Sequence, residues 1–234
     1  MKNQKLLAIS RVLVALLMGL AISVITLQLT RLFSLSEDGF IPSSFVTHTF
    51  MWLLSLIIIY ILTKGKPQEY GFTKGDFHLT PKIFLWVVPT GILSALNFIG
   101  SRLTGEIEQA NALLYLKDIL FIWIYASICE EIFTRGLLQS FLSPLTKYGF
   151  MLAKKWRISL PVLFSGLYFG AMHIVLVTRI GPAVIVVMTM AAGLGIVAGY
   201  HREKTDSLIP AIIIHGLFNI GGALPMWLLT CLFA

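Results

Sequence analysis

Two adjacent glutamates and an arginine, in the order Glu130-Glu131-Ile132-Phe133-Thr134-Arg135, interrupt an apolar stretch that runs from Ala112 to Leu142. A charged side chain at the centre of a bilayer costs about 2.5 to 3.5 kcal/mol on insertion scales, so such a helix keeps its charges only for tight pairing or for chemistry. Glu131 and Arg135 stand one helical turn apart and can neutralise each other, which leaves Glu130, about 100° around the helix, as a free carboxylate. Two later apolar segments repeat the four-residue spacing, Phe169 with His173 and His215 with Asn219. A carboxylate beside an imidazole can hold and deprotonate a water molecule. Ring and amide N–H donors such as those of His215 and Asn219 can support the oxyanion that forms when water attacks an amide carbonyl. The inventory suits hydrolysis of a peptide bond inside a membrane.

The elements that must carry these residues follow from composition. Of 234 residues 57% are hydrophobic and 12% charged, with a mean hydropathy of +0.85, which excludes an ordinary soluble domain. Runs long enough to cross about 30 Å of hydrocarbon lie near Leu6–Leu29, Ser43–Leu62, Lys82–Gly100, Ala112–Leu142, Ile158–Val177, Pro182–Tyr200 and from Leu208 onward. The last is interrupted by Gly221-Gly222 and Pro225, which predicts two shorter helices there and about eight transmembrane helices in all. The expected fold is therefore all-α: one polytopic membrane domain over residues 1–234, with generic apolar helices in 1–110 and a catalytic core in 111–225 around an intramembrane polar cavity.

The net charge of +7 is distributed as topology and not as a nucleic-acid surface. Lys2, Lys5, Lys64, Lys66, Lys74, Lys82, Lys147, Lys154, Lys155, Arg157, Arg202 and Lys204 fall in loops on one side. Arg31, Glu37, Asp38, Arg102, Glu106, Glu108, Lys117 and Arg179 fall on the other. The positive-inside rule makes the richer side, with the N-terminus, cytoplasmic. The first apolar run outlasts a signal-peptide core and is expected to remain as a helix. From the helix ends near Leu142, Ile158 and Leu208, at about 1.5 Å per residue, Glu130 lies roughly 18 Å deep, His173 roughly 22 Å and His215 roughly 10 Å. These depths overlap, so the three side chains can share one cavity.

Other polar and reactive residues have plainer readings. His48 and His78 are expected to be interhelical hydrogen-bonders or interface residues, His201 to lie in a cytoplasmic loop, and Phe169 to pack and shape the pocket. Cys129 lacks a spaced histidine partner in its own helix and reads as a small core residue; with Cys231 it makes no disulfide framework. Cys231-Leu232-Phe233-Ala234 formally fits a prenylation box but reads as a hydrophobic helix end. Gly195 and Gly199 form a small-x-x-x-small face suited to packing against a neighbouring helix.

The ordered trio Glu-Glu-x-x-x-Arg, Phe-x-x-x-His and His-x-x-x-Asn resembles that of the CPBP (Abi) intramembrane proteases, which include CAAX prenyl proteases and bacteriocin-processing or immunity proteins. The likeness covers about Lys117 to Gly222. It implies an eight-helix bundle in which Glu130 and His173 activate water while His215 and Asn219 polarise the scissile carbonyl, with Glu131, Arg135 and Phe169 in support. It implies a hydrophobic or lipidated peptide as substrate, the bilayer as surroundings, and a multi-pass protein of a prokaryotic cytoplasmic membrane. No cofactor is required by this reading. The alternative is a zinc ion on Glu130, His173 and His215; against it, the His-Glu-x-x-His pair is absent and Asn219 is a poor zinc ligand. A proton-coupled transporter and a non-catalytic peptide-binding or immunity protein are the remaining alternatives.

Overall fold

The computed structural model describes residues 2–33, 35, 40–75, 81–102, 116–152 and 155–233. Glu37, Asp38, His78, Glu106, Glu108, Lys154 and the start of the apolar stretch at Ala112 lie outside the described residues. So do the side chains of Lys2, Lys82, Arg102, Arg179 and Cys231.

Among the described residues each of the seven apolar runs carries a helix. They form α1 (Lys2–Leu32), α2 (Ser44–Leu62), α3 (Pro81–Arg102), α4 (residues 116–141), α5 (Leu160–Met172), α6 (Val184–Thr205) and α7 (Ile209–Phe233). Among the described residues three helical segments, Gln4–Leu32, Ser44–Leu62 and Gly181–Thr205, are long and apolar enough to cross a membrane. Leu6, Leu7, Leu13, Leu17 and Val24 of α1 and Ile57, Tyr60 and Ile61 of α2 present more than half of their surface outward. Such a shell is stable against lipid and not against water.

The expected break in the last run is absent, and α7 continues through Gly221-Gly222 and Pro225 as one helix. The glycines are contact surface. A Cβ on Gly221 would collide with the Val88 carbonyl of α3, and a Cβ on Gly91 with the Phe218 carbonyl of α7. Close backbone approach of this kind is how helices associate where no hydrophobic effect drives them together.

Within α4 the winding changes twice. A five-residue α segment, Ser127–Glu131, lies between two π-helical segments, Asp118–Ala126 and Ile132–Gln139. π turns are rare and recur at functional sites, and here they flank both glutamates. Residues 142–159 turn the chain back through an antiparallel hairpin, β1 (Gly149–Leu152) and β2 (Trp156–Ser159). Ser159 caps α5 by accepting from the Val162 amide, with Pro161 in the first turn. The α2–α3 loop ties to the corner between α6 and α7. The Leu208 amide donates to the Gly71 carbonyl at 2.9 Å, and the Thr73 and Ser207 hydroxyls donate across the same junction.

Two apolar clusters meet at Met172 of α5. One joins Ile22, Met51, Ile59, Phe133, Leu137, Tyr168 and Leu208. The other joins Val87, Phe169, Ala191, Leu194, Ala211 and Ile214.

The glycine contacts generate a stability prediction. Gly221→Val should lower the unfolding temperature of the detergent-solubilised protein, by the equivalent of about 1 to 3 kcal/mol for overpacking. Gly193→Ala, where a Cβ meets nothing within 4 Å, should not lower it. Thermal unfolding monitored by circular dichroism compares the two.

Candidate active site

Glu131 and Arg135 pair within α4, Nη1 to Oε1 at 3.1 Å, both fully buried. Arg135 also donates to the Thr134 hydroxyl, and its guanidinium stacks over the Phe169 ring at 4.7 Å. Space for it exists because α6 has no side chain at Gly195, where a Cβ would meet Arg135 Nη2. Gly199, one turn on, admits Gln139, whose amide donates to the Gly199 carbonyl at 2.9 Å and whose oxygen accepts from Ser165 at 3.0 Å. The small-residue face of α6 therefore packs within the chain, where it receives the polar side chains of α4.

His215 of α7 bridges the two glutamates. Its Nδ1 lies 2.9 Å from Glu131 Oε1 and its Nε2 lies 3.4 Å from Glu130 Oε2. Glu131, already paired with Arg135, accepts here, so Nδ1 carries the hydrogen. Asn219, one turn further, donates its amide to the Ile122 carbonyl and the Ser127 hydroxyl, each at 3.1 Å. Both expected oxyanion donors are thus engaged within the protein.

His173 ends α5. Its Nδ1 donates to the Phe169 carbonyl at 2.8 Å, which leaves Nε2 with the lone pair. The Phe169 ring lies between the two histidines, 5.0 Å from His173 and 5.2 Å from His215, edge-on to both. The same ring carries the Arg135 guanidinium on its face. His173 and His215 both lie within electrostatic range of Glu130.

The arrangement has two layers. Glu131, Arg135 and His215 are sealed inside, at 0, 0 and 4% side-chain exposure, whereas Glu130 keeps 13% and His48 15%. His173 and Asn219 are also half-buried. Glu131 Oε1 receives both Arg135 and His215, while Glu131 Oε2 and Arg135 Nε and Nη2 are buried without a hydrogen-bond partner among the described residues. Cys129 is buried among core residues at 1% exposure.

His48 is the residue that sequence reasoning placed apart from the site. It makes the expected interhelical hydrogen bond, but its partner is Glu130, Nε2 to Oε1 at 3.3 Å. A signal was present: His48 stands fourteen positions before the Leu62 end of α2, about 21 Å deep on the ruler applied to the other helices, level with Glu130.

Among the described residues no group of three His, Cys, Asp or Glu side chains is arranged to hold an ion.

The inner layer predicts an asymmetry. Glu131→Gln leaves the Arg135 guanidinium buried without its counter-charge and should destabilise the fold by about 3 to 5 kcal/mol. The double substitution Glu131→Gln, Arg135→Met removes the charge together with its partner and should recover part of that loss. Denaturation midpoints of the three proteins test the difference.

Residues 112–221 match the family model of the Rce1-like type II CAAX prenyl endopeptidases. No curated protein and no solved structure matches the chain. The matched segment takes in every residue of the three motifs and leaves out α1, α2 and α3. The match over residues 112–221 agrees with the family that the three motifs resemble.

Proposed function

We propose that this protein is an intramembrane endopeptidase that hydrolyses a peptide bond in a hydrophobic or prenylated peptide, using a water activated by Glu130 and His173. The observation that carries this reading is the half-buried Glu130 carboxylate, set above a sealed layer in which Arg135 and His215 already compensate Glu131.

Glu130 accepts the proton of the attacking water. His173 Nε2, left with its lone pair by the bond from Nδ1 to Phe169, orients the same water. The scissile carbonyl takes the place of the Ser127 hydroxyl on the Asn219 amide. His215 donates through Nδ1–H to Glu131 and through an Nε2–H to the carbonyl oxygen as charge develops there. The proton held on Glu130 then passes to the leaving amine. The cytoplasmic N-terminus, the prokaryotic membrane and the catalytic core over 111–225 belong to this proposal.

Purified wild type should cleave quenched fluorescent prenylated peptides. Glu130→Gln and His173→Ala should each reduce kcat by about 10²- to 10⁴-fold, and Asn219→Ala by about 10²- to 10³-fold, with unfolding temperatures kept. A folded wild type that cuts no peptide, or Glu130→Gln at the wild-type rate, would overturn the proposal.

Metal dependence has a separate measurement. Chelator-treated protein, verified zinc-free by elemental analysis, should retain its cleavage rate. Loss of the rate with restoration by zinc alone would make Glu130, His173 and His215 metal ligands instead.

A further inference from the structure

We infer that His48 of α2, outside the segment shared with the endopeptidase family, is a positioning residue that holds the Glu130 carboxylate in place for its reaction. The inference rests on the proposed function and deepens it.

The geometry is two-sided. Glu130 Oε1 faces His48 Nε2 at 3.3 Å from α2, and Oε2 faces His215 Nε2 at 3.4 Å from α7. A carboxylate with one oxygen toward each of two helices has lost its rotation about the terminal torsion. Each oxygen still has a lone pair for water. The ring of His48 presents a hydrogen on Nε2. Its Nδ1 is buried and has no hydrogen-bond partner among the described residues. An orphaned buried acceptor is tolerated more readily than an orphaned N–H, so the hydrogen is placed on Nε2, where Glu130 receives it. A hydrogen bond donated to a carboxylate favours its ionised form, the form that can take a proton.

His48 is also rigidly placed. The next residue, Thr49, shares a hydrogen bond of 2.6 Å with the Tyr125 hydroxyl, and the Trp52 indole donates to the same oxygen at 3.0 Å. The Tyr125 ring stands edge-on to His48. These contacts bind α2 to α4 just over one turn before Glu130. They do not involve the carboxylate, and this separates the fastening of the helix from the positioning of the base.

His48 and Glu130 share the less buried side of the site, while Glu131, Arg135 and His215 lie behind them. The ring therefore acts on the carboxylate at the edge where water and substrate arrive.

The test uses the full-length purified protein and the prenylated peptide cleaved by wild type. His48→Met keeps the volume and removes the donor; it should lower kcat about 10- to 100-fold, as loss of a supporting hydrogen bond typically does, with KM within a factor of three. His48→Gln keeps an N–H at the same reach and should recover most of that loss. Thr49→Val removes a fastening bond of α2 without touching Glu130 and should leave kcat within a factor of three. If His48→Met fails to fold, His48→Ala takes its place. Wild-type kcat in the donor-less variant, no rescue by glutamine, or an equal loss in Thr49→Val would overturn the inference and leave the protease reading standing. A wild type that cuts nothing would overturn both.

Discussion

Adjacent carboxylates repel each other, and in hydrocarbon the repulsion is hardly screened, so a helix carrying Glu130 next to Glu131 must meet compensating charge or lose its place in the membrane. The protein solves this for Glu131 by direct pairing. Arg135 approaches from the same helix and His215 from α7, and no exposed surface remains on either the carboxylate or the guanidinium. Much of the architecture answers to this pair. α6 is stripped to glycine at 195 so that the guanidinium fits, Phe169 lies under it as a flat partner, and the Ser140 hydroxyl joins the Arg135 carbonyl to Arg202 of α6. With the charge of one glutamate compensated in this way, the other keeps exposed surface on the outer side of the site.

A buried ion pair gives little net stability against a well-packed apolar alternative. Its value here is geometric. The pair fixes the rotation of α4 relative to α6 and α7, and that rotation decides which way Glu130 points. The two π segments serve the same end, since widening the helix on either side of Ser127–Glu131 shifts the register of its faces between the Tyr125 side and the Gln139 side. α2 and α7 can then both reach the same carboxylate.

Much of this was legible in the sequence, because membrane helices advertise themselves by length and apolarity, and a charge among them is conspicuous. Among the described residues all seven apolar runs carry helices, and the Glu131–Arg135 pairing follows from spacing alone. What was not legible depends on interhelical distance. The continuity of α7 through two glycines and a proline reflects the backbone of α3 lying against it, a contact that no local pattern reveals. The π windings leave no mark in composition. His48 was visible as a histidine at the right depth, but which of the other helices it would face is decided by packing. The hairpin after α4 falls in a loop where polar and aromatic residues alternate too briefly to distinguish a strand from a turn.

The order of the helices along the chain also bears on biosynthesis. The residues gathered around Glu130 come from α2, α4, α5 and α7, and α7 is the last of these to leave the ribosome. Until it is inserted, Glu131 lacks His215, Glu130 has His48 and His173 but not His215, and the corner at Leu208 that docks on Gly71 is not yet made. The nascent protein therefore carries an incomplete site until α7 is inserted.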